Sequence, residues 1–204
     1  MSRVIVDKWV AHLRSVARPS AGQAPPTGPG LIAQPFGLVV GDDPGQGRTD
    51  TSPHPPPAAD VGLWWALAGA RIDVDALLSG STEGPLWPQG RFKAIEVWTE
   101  AELCGLHALW RLARDRRRDD WATRVEVVRD WHVQNTQPDN ATNRPWALHV
   151  FLLAETPETR HYAETLLHNC LVTTGQPEPL SAWILLDAAN ELERSRPIAQ
   201  RPED

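Results

Sequence analysis

Apolar residues recur at helical spacing along most of the chain. Near the N-terminus, Ile5, Trp9, Leu13 and Val16 form one such stripe, which predicts an amphipathic helix over residues 2–17. The same spacing predicts further helices at residues 60–70, 73–78, 94–117, 119–134, 145–155, 157–172 and 180–195. Sustained alternation of apolar and polar residues, the pattern of strands, is missing from the sequence, so we expect an all-α fold.

A segment rich in proline and glycine separates the first predicted helix from the others. Residues 18–59 contain ten prolines and seven glycines, a composition that buries too little apolar surface to offset the cost of ordering. We therefore expect residues 18–30 and 42–57 to lack regular structure, and the apolar stretch 31–40 to dock on the main body or on a partner. The predicted organisation is an N-terminal helix (1–17), a linker (18–59), a helical domain (60–196) and a tail (197–204).

The longest predicted helix, at residues 94–117, is apolar over most of its circumference, which is typical of a well-covered inner helix. Its covered side is expected to include Ile95, Val97, Trp98, Ala101, Cys104, Gly105, Ala108, Leu109 and Leu112. The remaining stripe consists of Glu96, Glu100, Leu103, His107, Arg111 and Arg114. Glu96 and Glu100 can share a proton or, with His107, bind a metal. Ion pairs on the helix surface explain these residues better, so no metal site is predicted.

Composition and charge exclude several classes of protein. The net charge of −6 argues against nucleic-acid binding. No apolar run is long enough to span a membrane and no secretory signal is recognisable, so we expect a cytoplasmic protein without a membrane partner. Cys104 and Cys170 lie in helical patterns, where buried free thiols are expected rather than a disulfide. Nucleotide-binding glycine motifs and the nucleophile elbow are also missing, and no cofactor is predicted.

The loop at residues 134–145 contains the most concentrated polar chemistry, including three of the five asparagines of the protein. Asn143 before Pro145 suits a helix cap, and Asp139 with Asn140 suits a turn, so a structural loop is one interpretation. The other is a site for a polar ligand, with a tryptophan beside amide and carboxylate groups. The predicted ligand-binding residues are Asp139, Asn140, Asn143, Arg144 and Trp146. The candidates for acid–base catalysis are Glu100, His132, Asp139 and His149.

Successive tryptophan-rich helices joined by short polar loops, such as Gly84-Pro85-Leu86-Trp87-Pro88, resemble parts of an α/α toroid. Terpenoid cyclases, protein prenyltransferases and several polysaccharide lyases and glycosidases have this architecture. The resemblance covers roughly residues 58–195 and implies a helical-hairpin array or a partial toroid of six to seven helices. A closed toroid has about twelve helices, so a chain of six or seven is expected to form half a ring, a compact bundle, or a partial solenoid that completes itself as a homo-oligomer.

The resemblance carries no activity with it, because the diagnostic motifs of these enzymes are missing. The acidic motif of squalene-type cyclases is absent, since Asp73-Val74-Asp75 is followed by Ala76. The zinc ligands of the prenyltransferases are not recognisable either.

Three functions remain open from the sequence. The first is a soluble helical binding or interaction domain, in which loop 134–145 faces a small polar ligand or a protein partner. The second is a toroid-type enzyme that acts on a carbohydrate or an isoprenoid by general acid–base chemistry. The third is a scaffold without a small ligand. A concave pocket shared by Glu96, Glu100, His132 and Asp139 would favour the enzyme, and the lack of a pocket lined by Trp146 would favour the scaffold.

Overall fold

The computed structural model describes residues 3–20, 59–78, 82–138 and 142–195. These residues form helices α1 (Arg3–Ala17), α2 (Ala59–Leu67), α3 (Val74–Leu77), α4 (Ile95–Asp115), α5 (Asp119–Asn135), α6 (Leu148–Leu153), α7 (Pro157–Val172) and α8 (Pro179–Arg194). One turn of 3-10 helix, Gln89–Arg91, precedes α4. Within these ranges no strand occurs, so the predicted all-α class is confirmed, with seven helices after the linker.

Several predictions concern residues outside the described ranges. They include the expected lack of structure from residue 21 to 30 and at 42–57, the docking of the apolar stretch 31–40, and the tail. The predicted site residues Asp139 and Asn140 also lie outside the described residues.

Helix α4 lies at the centre of the fold and packs against α2, α5 and α6. Helix α8 packs against α1 and α6, while α7 packs against α5 and α6. The described helices share one apolar core, which begins with Val6 in α1 and ends with Leu192 in α8. Large apolar side chains of four helices are buried, namely Trp98, Leu109, Leu148, Leu152, Leu166 and Ile184. Trp131 is half-buried.

The predicted division of α4 into covered and solvent-facing sides is wrong in two places. Ile95 and Val97, expected to be covered, lie in the first turn and are 53% and 55% exposed. Leu103 and His107, expected on the open stripe, are completely buried. The reason is that Asp187 of α8 and the N–H of Ala147, just before α6, are buried polar partners of His107, and every residue from 101 to 109 is buried.

Helix α1 packs along α8 and belongs to the same core as the other helices. Its buried positions follow helical spacing and are Val6, Val10, Leu13 and Ala17. Arg14 donates hydrogen bonds to the amide oxygen of Asn190 at 3.1 Å and to the carboxylate of Glu193 at 2.7 Å. Beyond the helix, the hydroxyl of Ser20 donates to the carbonyl oxygen of Pro177 at 2.6 Å. Contacts at several levels along α8 therefore hold α1 in place.

Helix α6 is shorter than predicted, since it begins at Leu148 and not at Pro145. Ala147 before it has a φ of 54°, in the left-handed region that costs energy for any residue but glycine. Its N–H donates to Nδ1 of His107 at 3.1 Å, so a side chain of α4 holds this turn. Asn143 is too far from Leu148 to cap the helix, and the prediction of a cap at Asn143 is wrong. The first-turn position predicted for Pro157 in α7 is confirmed.

The loop at residues 82–92 is held against α4 and α5 by buried side chains. Arg124 donates to the carbonyl oxygens of Gly84 at 2.8 Å and Pro85 at 2.6 Å. Trp87 packs so closely on Gly105 that a Cβ atom at position 105 would lie 2.3 Å from its ring. Glycine in the middle of α4 is therefore required by the close approach of this loop.

Candidate functional site

Helix α7 anchors both flanks of the polar loop. The side-chain amide of Asn169 donates to the carbonyl oxygens of Pro138 and Thr142, at 2.5 and 3.4 Å. Asn169 is buried, so water competes little for these bonds. One amide group therefore fixes the separation of the two residues that flank the undescribed segment.

The carboxylate of Glu100, on α4, accepts hydrogen bonds from three residues of the segment 142–146. Its carboxylate accepts a hydrogen bond from the indole N–H of Trp146 at 2.6 Å and another from the hydroxyl of Thr142. A third comes from Nη1 of Arg144 at 3.3 Å. Because bonds to a charged acceptor are stronger than neutral ones, a single carboxylate secures this part of the loop on α4.

Arg144 joins two carboxylates that lie far apart in the sequence. Besides its bond to Glu100, its Nε donates to Glu178 at 2.8 Å. Glu178 is the residue at the N-cap of α8, where the positive end of the helix dipole favours a negative charge. The guanidinium therefore connects α4 to the start of α8 across the polar loop.

These charged groups lie in the wall of a cleft of about 440 Å³. This volume falls in the range of about 300–1,000 Å³ that is usual for small-molecule sites. The wall consists of Glu100, Asn143, Arg144, Asn169, Cys170, Thr173, Thr174, Gln176 and Glu178. Carboxylate, guanidinium, amide and hydroxyl groups thus surround one cavity, and none of these wall residues is aromatic.

Trp146 lies behind the wall of the cleft and not in it. Its side chain is 1% exposed, and its ring contacts those of Trp64 and His107 at centroid distances of 5.6 and 5.7 Å. The indole therefore positions Glu100 through its N–H and does not offer a free face for stacking. Asn143, by contrast, is exposed and lines the cleft.

A second polar cluster is buried between α4 and α8. Nε2 of His107 lies 2.8 Å from the carboxylate of Asp187, and Arg111 donates to the same carboxylate at 3.1 Å. Since Nδ1 of His107 accepts the N–H of Ala147, the ring is neutral and donates from Nε2. Burial lowers the pKa of His107, in agreement with the neutral form. Burial disfavours ionisation of Asp187, but its bond to His107 and the charge of Arg111 lower its pKa overall.

His149 lies next to this cluster without a polar partner. Both ring nitrogens are buried and make no hydrogen bond among the described residues. The ring centroid is 4.6 Å from that of His107. Burial, followed by the charges of Arg111 and Arg114, holds the pKa of His149 well below its usual range. His149 is therefore a neutral core residue at pH 7.

His132 belongs to a third buried cluster, around Glu102 of α4. The Glu102 carboxylate accepts the backbone N–H groups of Leu86, at 2.8 Å, and Trp87. Nε2 of His132 lies 3.4 Å from the same carboxylate, and its Nδ1 lies 3.1 Å from the hydroxyl of Thr136. All of Glu102 and His132 is buried, so this group clamps the loop at residues 82–92.

The two thiols are buried and free, as expected. Burial raises the pKa of Cys170 to about 12 and that of Cys104 well above its usual range. Neither thiol is therefore activated as a nucleophile at neutral pH.

The structure brings together some of the predicted site residues and separates others. Glu100, Asn143 and Arg144 line one cleft, with Trp146 directly behind it. His132 and His149 lie in other, fully buried clusters, and Glu96 is exposed in the first turn of α4. The described residues therefore do not form the shared pocket that a toroid-type enzyme would need.

The sequence did not point to the opposite wall of the cleft, residues 169–178. Thr173-Thr174-Gly175-Gln176-Pro177-Glu178 lies between two predicted helices, and its glycine and proline indicate only a break between them. The hydroxyl, amide and carboxylate groups concentrated in this segment were the sequence feature that could have indicated a second wall of the cleft. A second polar connection of this kind, near in space to the first, is what completes the cleft.

Comparisons of the chain with protein-family models, with curated proteins and with solved structures find no match. The resemblance to α/α toroids therefore stays a prediction. Among the described helices, none combines the length and apolarity that a membrane span requires. The described residues also contain no group of three His, Cys, Asp or Glu side chains arranged to hold a metal ion.

Proposed function

We propose that the protein is a binding module whose cleft, between residues 142–145 and the α7–α8 connection, takes a small polar ligand. One observation supports this most directly. Polar side chains from α4, the loop, α7 and the α7–α8 connection converge on one cavity of about 440 Å³. Side chains that only capped local turns would bond to neighbouring backbone and would leave no common space.

Some polar groups of the cleft wall are held in place by hydrogen bonds within the protein, and others are exposed to solvent and can bond to a ligand. Glu100 and Asn169 are held in place by their bonds to residues 138–146. Asn143, Gln176 and Glu178 are exposed and lie at the same wall. A rigid frame that presents solvated hydrogen-bonding groups lowers the ordering cost of binding.

Available hydrogen-bonding groups and the lack of an aromatic wall residue define the class of ligand. Apolar or flat aromatic molecules would find little surface to cover in this cleft. A molecule rich in hydroxyl, amine or amide groups, such as a polyol, a sugar or an amino acid, would replace water at several of the wall groups at once.

A thermal-shift screen of polyols, sugars, amino acids and amines tests this function. A ligand that binds the folded state raises the unfolding temperature, and a concentration of 100 times Kd stabilises by about 2.7 kcal/mol. Asn143→Ala and Gln176→Ala should abolish most of the shift and leave the unliganded stability within about 0.5 kcal/mol.

The matched control is Gln134→Ala, an exposed residue of α5 outside the cleft wall. It should keep the full shift. The proposal is contradicted if the screen yields no ligand, or if every ligand found binds the two cleft variants as well as it binds the wild type. Such a result would favour the scaffold alternative, for which the position of Trp146 behind the cleft wall already counts.

A further inference from the structure

The fixed charges of the cleft wall do not cancel. Among the described residues of the wall, Glu100 and Glu178 are acidic and Arg144 is basic, so these residues keep one net negative charge. Arg144 lies between the two carboxylates and bonds to both. The neutral wall groups are amides, hydroxyls and one thiol, which contribute no formal charge.

Glu178 is the more accessible of the two carboxylates. Its side chain is 47% exposed, against 30% for Glu100. Glu100 is already bonded to Trp146, Thr142 and Arg144, whereas Glu178 accepts Nε of Arg144 at one oxygen, Oε1. A cationic group that enters the cleft can therefore approach Glu178 without breaking the bonds that hold the loop on α4.

The surroundings of Glu178 favour a positive charge at the same place. Thr173 and Thr174 follow the last residue of α7, so the carbonyl end of this helix, with its partial negative charge, faces the cleft. Burial raises the pKa of the Cys170 thiol in the same wall to about 12, and the charge of Glu178 adds to the rise, so this thiol contributes no charge to the cleft. The carbonyl end of α7 and the carboxylates thus act in the same direction, while the positive N-terminal end of α8 at Glu178 opposes them in part.

We infer that the ligand of this cleft carries an ammonium group among its hydroxyl groups, as amino sugars and other amino polyols do. The inference rests on the proposed binding function and specifies the ligand. The ammonium group bonds to Glu178, and the hydroxyl groups bond to Asn143, Gln176 and the threonines. Three donor hydrogens on one nitrogen suit a wall in which carboxylate, amide and hydroxyl oxygens are close together.

Two matched pairs of probes test the charge of the ligand, namely glucosamine with glucose and serinol with glycerol. Each pair differs chiefly by an amine in place of a hydroxyl. Calorimetric titrations of the full chain, at a pH where the amines are protonated, should show up to about fivefold tighter binding of the amine, the equivalent of the roughly 1 kcal/mol that an exposed ion pair contributes at most. The preference should decline as NaCl is added, because salt screens the attraction.

Glu178→Gln removes the charge and keeps the shape, so the ratio of the affinities for the amine and the neutral probe should fall close to one. Glu126→Gln changes the net charge equally at an exposed position of α5 and should keep the preference. Equal affinity for amine and neutral probe in the wild type, or an undiminished preference in Glu178→Gln, overturns the inference and leaves the binding function standing. If neither pair binds, the inference also fails, and the wider screen decides the binding function by itself.

Discussion

Replacement of Glu102 by glutamine should destabilise the protein by about 2–4 kcal/mol. The buried carboxylate accepts the backbone N–H of Leu86 at 2.8 Å and that of Trp87, one at each oxygen. Glutamine keeps one acceptor and turns an NH₂ group towards the second backbone donor. One charge-assisted bond, typically about 1.5–3 kcal/mol, is lost, and a buried N–H is left without a partner.

The magnitude can be bracketed by two further variants. Glu102→Leu removes both acceptors and leaves His132 beside an apolar group, so a loss of about 3–5 kcal/mol is expected. Glu96→Gln makes the same chemical change as the test variant, but on an exposed side chain one and a half turns earlier in α4. It should change the stability by less than about 0.5 kcal/mol.

Urea unfolding followed by tryptophan fluorescence measures the loss, and amide hydrogen exchange localises it. In Glu102→Gln the amides of Leu86 and Trp87 should exchange faster than the global unfolding rate allows, because the clamp on their loop is weakened. A loss below about 1 kcal/mol would refute the reasoning. Unchanged protection of both amides would refute it as well, even if the stability fell.

Two other predictions follow from buried groups of the core. Gly105→Ala should cost about 1–3 kcal/mol in urea unfolding because its Cβ would meet the ring of Trp87, whereas Gly90→Ala, with open space around it, should be nearly neutral. His149 has a depressed folded pKa, so the unfolded state binds its proton first. Stability should therefore be unaffected above the ordinary histidine pKa of about 6.5 and decline below it, by up to about 1.4 kcal/mol per pH unit. His149→Leu should make this decline shallower, and the same slope in both proteins would show that His149 is not its source.

Helix positions were predictable because the 3.6-residue period and the proline and glycine breaks are local signals. The bounds predicted for α7, residues 157–172, agree with the structure, and those of α5 and α8 differ by a residue. Helix α6 departs further because its first residues are held by His107 and Glu100, which lie about 40 residues earlier. Hydrogen bonds between side chains and residues this far apart in the sequence do not affect the local spacing of apolar residues, so that spacing cannot predict them.

Burial of polar residues was the harder part of the prediction. His107 and Arg111 looked like an open stripe of α4, yet they face Asp187 of α8. Asp187 and Glu191, four residues apart on the face of α8 that also carries Ile184 and Ala188, were the matching signal. Glu102 was likewise recognisable, since it lies between apolar neighbours on the covered part of α4. Its partners are backbone groups of a loop, which no side-chain pattern identifies.

The sequence predicted part of the wall of the candidate site and missed the rest. Asn143 and Arg144 stood out by their concentration of polar chemistry, and both line the cleft. Trp146 was expected to face a ligand, but its ring is enclosed by Trp64 and His107. The position of Glu178 depends on how α7 and α8 pack, and this packing is a property of the tertiary structure alone.

The hydrogen bond from Ser20 to Pro177 gives the N-terminal helix a link to the cleft. Pro177 directly precedes Glu178, so the end of α1 is fastened one residue away from a cleft carboxylate. The docking of α1 on α8 and the binding of a ligand in the cleft then involve neighbouring residues, Pro177 and Glu178. If docked α1 makes ligand binding more favourable by some free energy, a bound ligand makes the docking of α1 more favourable by the same amount.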